Sequence, residues 1–254
     1  MTRTAILSAL IDEQRSLIAQ LEHPCEVQHA GRRFWSGQLY GQDVVLALSR
    51  IGKVAAATTA TALIEKFQVG RIVFTGVAGG LAPEVCVGDL VLATNFIQHD
   101  LDSSPIVPRY EVPLYGKTRF AADAALSAGL LRAATDAFAA LPDWLGADTL
   151  QRYQLGQARI HQGLLASGDR FVSVAGESQR IQADLLAHGH RALAVEMEGA
   201  AVAQVCFDYG VPFAAIRTIS DRADATAHAD FTQFVREVAS HCAEAVLARF
   251  LKSL

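Results

Sequence analysis

The feature that most constrains this chain is the order of its apolar runs, which come in two kinds and take turns. Short runs rich in β-branched residues, over 44–48, 71–75, 89–93, 193–195 and 212–216, have strand length and few polar interruptions. Runs of that kind suit strands covered on both faces, since each face then needs apolar side chains. Between them stand longer Ala/Leu-rich stretches with helical period, over 12–21, 53–67, 121–140, 178–188, 199–209 and 231–251. Such alternation predicts an α/β fold, a central sheet sandwiched by helices.

Composition narrows the function classes. With 51% hydrophobic and 19% charged residues, the chain can bury a core, which excludes wholesale disorder. A net charge of -4 and the lack of any Lys/Arg-rich run argue against an electrostatic grip on nucleic acid. The expected partner is a small molecule or another protein. No Pro/Ser-rich linker, low-complexity tract or internal repeat divides the sequence, so residues 1–254 are read as one domain. The four cysteines, Cys25, Cys86, Cys206 and Cys242, show no metal-binding spacing and read as reduced, mostly buried thiols. The apolar piece 5–11 is too short for a signal peptide, and no run approaches the ~20 residues of a membrane helix. The expectation is a cytoplasmic protein with no membrane contact.

Four places put polar groups where strands end, the usual ligand side of an open α/β sheet. Asp12 and Glu13 follow the strand-like stretch 4–10. They are either first-turn helix acids or a carboxylate at a cleft, able to take a proton from water. Phe74-Thr-Gly-Val-Ala-Gly-Gly80 matches neither the dinucleotide fingerprint nor a P-loop. It is a tight turn, or a place where backbone N–H groups approach a ligand. Glu196 and Glu198 end an apolar strand and precede a small-residue helix. Helix-end electrostatics is one reading; the other is a carboxylate that accepts two hydroxyl hydrogen bonds, as vicinal sugar diols require. Asp221 is an N-cap or a general acid with a raised pKa, and Arg217 in the same segment would orient or tune it. His99, Asp100 and Asp102 have metal-ligand types but read as a polar loop, and His228 and Asp230 as a helix cap. The least regular stretch is 99–119, broken by Pro105, Pro108, Pro113 and Gly116. Its length suits a loop that covers a site or meets a neighbouring subunit.

Seven segments taken in order resemble the purine nucleoside phosphorylase superfamily, and within it the hydrolytic 5'-methylthioadenosine/S-adenosylhomocysteine nucleosidases. They are Ser49-Arg-Ile-Gly-Lys-Val54, Thr75-Gly-Val-Ala-Gly-Gly-Leu-Ala82, Val87-Gly-Asp-Leu-Val91, His99-Asp100, Ser167-Gly-Asp169, Ala194-Val-Glu-Met-Glu198 and Arg217-Thr-Ile-Ser-Asp221. The resemblance implies a three-layer α/β/α fold around a mixed twisted sheet, a homodimer, and cleavage of the ribose–adenine bond without metal or organic cofactor. It implies Asp221 as general acid to adenine ring position 7 and Glu13 as the group that orients and deprotonates water. Glu198 would hold the ribose hydroxyls with Met197 against the sugar. Phe171 would stack on adenine and the Val172 backbone would read its edge. Leu10, Ile51 and Phe231 would line the 5'-alkylthio pocket, and Val77 and Ser220 complete the substrate-binding set.

Three departures from the family pattern bear on the nucleophile and on the 5' group. Phosphorolytic relatives carry Arg and Ser where this chain has Phe74 and Val77, which speaks for water. Arg50 stands where the nucleosidases often have Gly, and a guanidinium is a ready anion ligand. The 99–119 loop is longer and richer in proline, and is expected to reach the 5' pocket across a dimer interface. The competing readings are a hydrolase of another 5'-substituted nucleoside such as futalosine, a nucleoside phosphorylase, and a non-catalytic nucleoside-binding protein. The last is disfavoured by the presence of all three acids.

Overall fold

The computed structural model describes residues 2–174, 176–223 and 231–254. The chain opens with β1 (Thr4–Ser8) and α1 (Ile11–Ala19), then lays down the antiparallel meander β2 (Glu22–His29), β3 (Arg32–Leu39) and β4 (Gln42–Leu48). Helix α2 (Lys53–Glu65) leads into β5 (Arg71–Gly80), β6 (Leu90–Gln98) and the short β7 (Phe120–Ala121). Helices α3 (Ala124–Ala139), α4 (Leu141–Leu145) and α5 (Ala147–Arg152) precede a 3₁₀ turn, Leu155–Gln157, and β8 (Ile160–Ser167). Then α6 (Glu177–Ala187), β9 (Ala192–Glu196), α7 (Gly199–Tyr209) and β10 (Phe213–Asp221) alternate. The chain closes with α8 (Phe231–Phe234), a π-helical turn over Val235–Ala239 and α9 (Ser240–Lys252).

The strands form one mixed sheet in the order β10-β6-β8-β9-β5-β1-β4-β3-β2, with β7 paired to β6. Strand β10 also pairs in parallel with β5, so β5, β9, β8, β6 and β10 close into a ring while β1, β4, β3 and β2 extend as a wing. Side chains alternate across the sheet. Ala5 and Leu7 of β1 pack in a cluster with Ala56, Ala60 and Leu63 of α2 and Ala200 and Ala203 of α7. Ile6, between them, packs with Leu17 of α1, Leu130 of α3 and Leu247 and Phe250 of α9. Both faces therefore need apolar residues, which is why the strand runs lack polar interruptions. Each large aliphatic side chain so buried contributes roughly 1.5–3 kcal/mol.

Several elements differ from the expectations. The glycine-rich segment is no turn; it is the second half of β5, with Gly79 and Gly80 paired to Val195 and Ala194 of β9. The stretch 4–10 is strand only to Ser8. Strands β2 and β3 carry no apolar run: β2 is an exposed edge, EHPCEVQH, and β3 is buried only at Phe34, Trp35 and Leu39. The helix expected over 231–251 is interrupted by the π-helical turn. Cys206 and Cys242 are buried, but Cys25 and Cys86 are exposed, since one lies on the edge strand and the other in the loop after β5. His228 and Asp230 lie outside the described residues. Among the described residues no helix is long and apolar enough to cross a membrane.

Candidate active site

One cavity gathers the ends of β1, β5, β9 and β10 with the segment after β8. Leu10, Glu13, Ile51, Val77, Phe171, Val172, Met197, Glu198, Arg217, Ser220, Asp221 and Phe231 all line it. Thus every candidate except Arg50 comes to one place. Arg50, with φ 61, turns outward and donates to the Gly31 carbonyl in the β2–β3 turn, so it is not an anion ligand of this site.

Glu13 is both a first-turn acid of α1 and a cavity group, which joins the two readings of that position. Its side chain is almost wholly buried and folds back to accept from the N–H groups of Ala9 (2.8 Å) and Leu10 (2.9 Å). Across the cavity floor it accepts from Val77 N–H at 3.1 Å. Gly76 makes that approach possible: its φ is +150, and a Cβ there would lie 2.8 Å from Glu13 Oε1. Burial pushes the Glu13 carboxyl above the usual range, against those backbone donors and the charge of Arg217.

Glu196 and Glu198 part company where β9 gives way to α7. Glu196 accepts from Arg217 Nη2 at 2.8 Å, from Gly199 N–H and from the Ser167 hydroxyl. Both members of the Glu196–Arg217 pair are buried, and the Arg217 guanidinium stacks 3.9 Å over the Phe74 ring. The Arg217 partner is therefore Glu196 and not, as expected from sequence spacing, Asp221. Two buried charges in apolar strands each require an opposite charge, and the pattern of acids at 196 and 198 with a lone Arg at 217 was the available signal. Arg217 Nε and Nη1 find no acceptor among the described residues. Glu198 accepts from Gly52 N–H at 2.9 Å. Burial and the charges of Glu196 and Glu13 push its pKa up to about 8, while Arg217 and the Gly52 N–H pull the other way.

Asp221 ends β10 at a break in the pairing with β5. Its Oδ1 accepts from Ala223 N–H and its Oδ2 from the Ser220 hydroxyl, both at 2.7 Å. The aromatic wall is Phe171 edge-on to Phe231, with ring centres 5.9 Å apart. Arg170, missed in the sequence, also lines the cavity and pairs with Glu177 at 2.9 Å. Among the described residues four carboxyl groups line the cavity, Glu13, Glu196, Glu198 and Asp221, against two guanidiniums, each already paired.

The 99–119 loop lines no part of this cavity. It docks instead on the far end of α6: Tyr110 packs edge-on to His188 and His190, and Arg109 pairs with Asp184 at 3.2 Å. Asp100 is bound to Lys53, and Asp102 accepts from Ser104 N–H. Among the described residues no three His, Cys, Asp or Glu are grouped to hold a metal ion.

A mixed sheet partly closed into a ring, with buried carboxyls at its strand ends, defines the class: the phosphorylase superfamily model matches residues 3–252. A 5'-methylthioadenosine/S-adenosylhomocysteine nucleosidase of Shewanella halifaxensis is 35% identical, over 99% of this chain and 100% of its own length. One from Geobacillus thermodenitrificans is 37% identical over 97% of this chain and 95% of its own. The crystal structure of the Neisseria meningitidis nucleosidase with methylthio-immucillin-A superposes with a TM-score of 0.85 at 33% identity, each chain covered in full. The chain belongs to the 5'-methylthioadenosine/S-adenosylhomocysteine nucleosidases, a family of N-glycosyl hydrolases.

Proposed function

We propose that this protein hydrolyses the N-glycosidic bond of 5'-methylthioadenosine and S-adenosylhomocysteine, and also of 5'-deoxyadenosine, releasing adenine and the 5-substituted ribose. The observation that carries the reading is the convergence of Glu13, Glu198 and Asp221 on one largely apolar cavity. Departure of adenine builds negative charge on the base and positive charge on the sugar, so donors and carboxylates are needed at separate ends. Asp221 gives its proton to N7 as the C1'–N9 bond breaks and its electrons pass to the base. Water adds to C1', and Glu13 takes the water proton. The free N–H groups of Arg217 suit the water oxygen. Glu198 receives the ribose hydroxyls, whose donors favour its ionised form. Phe171 and the Val172 backbone hold the purine, Met197 lies against the sugar, and Leu10, Ile51 and Phe231 take the alkylthio group.

The charge balance of the cavity supports water over phosphate. Among the described residues an anion would meet four carboxyl groups and two guanidiniums, each already paired to a carboxylate, with Phe74 and Val77 offering neither charge nor hydroxyl. Incubation with methylthioadenosine, with and without phosphate, tests the proposal. Free methylthioribose is expected in both; methylthioribose 1-phosphate would overturn hydrolysis. The same reading makes the 254 residues one catalytic domain acting in the cytoplasm as a homodimer, the partner's 99–119 loop closing the 5' pocket.

A further inference from the structure

Three of the ordered motifs, 49–54, His99-Asp100 and 167–169, give or take no proton in the chemistry above, yet the fold brings them together at the first turn of α2. Lys53 Nζ donates to Asp100 Oδ1 at 2.5 Å and to Gln98 Oε1 at 3.1 Å. Asp100 Oδ2 accepts from Asp169 N–H at 2.8 Å. Asp169 Oδ1 in turn accepts from Lys53 N–H at 2.7 Å, so three bonds close a circuit between α2, the end of β6 and the end of β8. The Lys53 side chain is only 15% exposed, and such shielding spares the pair the screening that weakens surface ion pairs.

The circuit sits one residue from the sugar side of the cavity. Gly52, immediately before Lys53, donates its N–H to Glu198. Arg50 and Gly52 hold φ of 61 and +95, a conformation outside the helix that L side chains rarely adopt. At Gly52 a Cβ would lie 3.1 Å from Asp169 Oδ1, so the clamp closes tightly over this residue. Ile51, between the two left-handed residues, lines the cavity.

We propose that Lys53, Asp100 and Asp169 are positioning residues: they clamp the start of α2 so that the Gly52 N–H stays on Glu198, and thereby set the subsite for the ribose hydroxyls. The proposal rests on the reading of Glu198 given above. The Gly52 N–H also favours the ionised form of Glu198, so losing it weakens the group both in place and in charge.

The test compares Asp100→Asn, Asp169→Asn and Lys53→Met on methylthioadenosine and on its 2',3'-dideoxy analogue, alone and combined with Glu198→Gln. The clamp variants should raise KM for methylthioadenosine about tenfold, the scale of one lost bond to a charged group. They should leave the dideoxy analogue unaffected and cost nothing further in the Glu198→Gln background. Asp100→Asn is isosteric and reads the clamp if Lys53→Met does not fold. Wild-type KM in the clamp variants beside an impaired Glu198→Gln overturns the clamp alone. Equal losses on both substrates, or losses additive with Glu198→Gln, overturn it too. An unimpaired Glu198→Gln overturns the reading of Glu198 and the clamp with it.

Discussion

Under the proposed mechanism Glu13, on α1, takes the water proton and Asp221, at the end of β10, protonates adenine, so each variant has its own expected loss. Each of Glu13→Gln and Asp221→Asn should lower kcat by about 10²–10⁴-fold, the usual range for general acid or base assistance, with melting temperature little changed. Steady-state rates on methylthioadenosine check this; near-normal turnover in either variant removes its assigned role. Glu198 carries a different prediction. Between its ordinary value of 4.5 and about 8, the unfolded chain ionises this carboxyl while the folded chain keeps the proton. The folded state then binds more protons, so the contribution of Glu198 to stability is full below 4.5 and is lost as pH rises toward 8. Glu198→Gln should therefore melt above the wild type at pH 8 and level with it near pH 4.5. Parallel melting profiles across that range would contradict the assignment.

Strand β5 shows how an element can be half legible. Its first half, with Ile72, Val73 and Phe74, announces itself by burial on both faces; its second half, Gly76 to Gly80, reads as a turn because glycines carry no side-chain pattern. The approach of Glu13 and a φ of +150 explain the glycine at 76. Gly76→Ala should strain the backbone and displace the carboxylate, lowering kcat toward ~10²-fold with a smaller change in KM. An active Gly76→Ala enzyme would mean that Glu13 does not need that seat. The same limit governs the rest of the fold. Helix α7 is readable to the residue because Gly199 to Tyr209 is rich in small apolar residues, its first five all buried, whereas β2 is exposed almost throughout. In the site, the acids stood out as charges in apolar segments. Glu196 and Arg217 stand out as charges in need of partners but not as a pair, because a contact between β9 and β10 has no local spacing to betray it.

At the scale of the whole molecule, the 99–119 loop is anchored on α6 yet carries Ile106 and Leu114, 85% and 104% exposed. Apolar side chains held out on a docked loop are suited to a second copy. Ile106→Asp combined with Leu114→Asp should shift light-scattering mass from dimer to monomer and raise KM for methylthioadenosine; a monomeric wild type would refute the pairing. The ring of strands has a consequence for how the molecule comes into being. Its seam joins β5 (Arg71–Gly80) to β10 (Phe213–Asp221), so the ring cannot close until β10 has left the ribosome. Pairings of such long range are slow to form, since the entropy of closing the loop is lost before any contact repays it. Asp221 hangs from β10. Activity regained on refolding should accordingly lag behind helix formation, and a nascent chain holds no competent catalyst until its C-terminal third has docked.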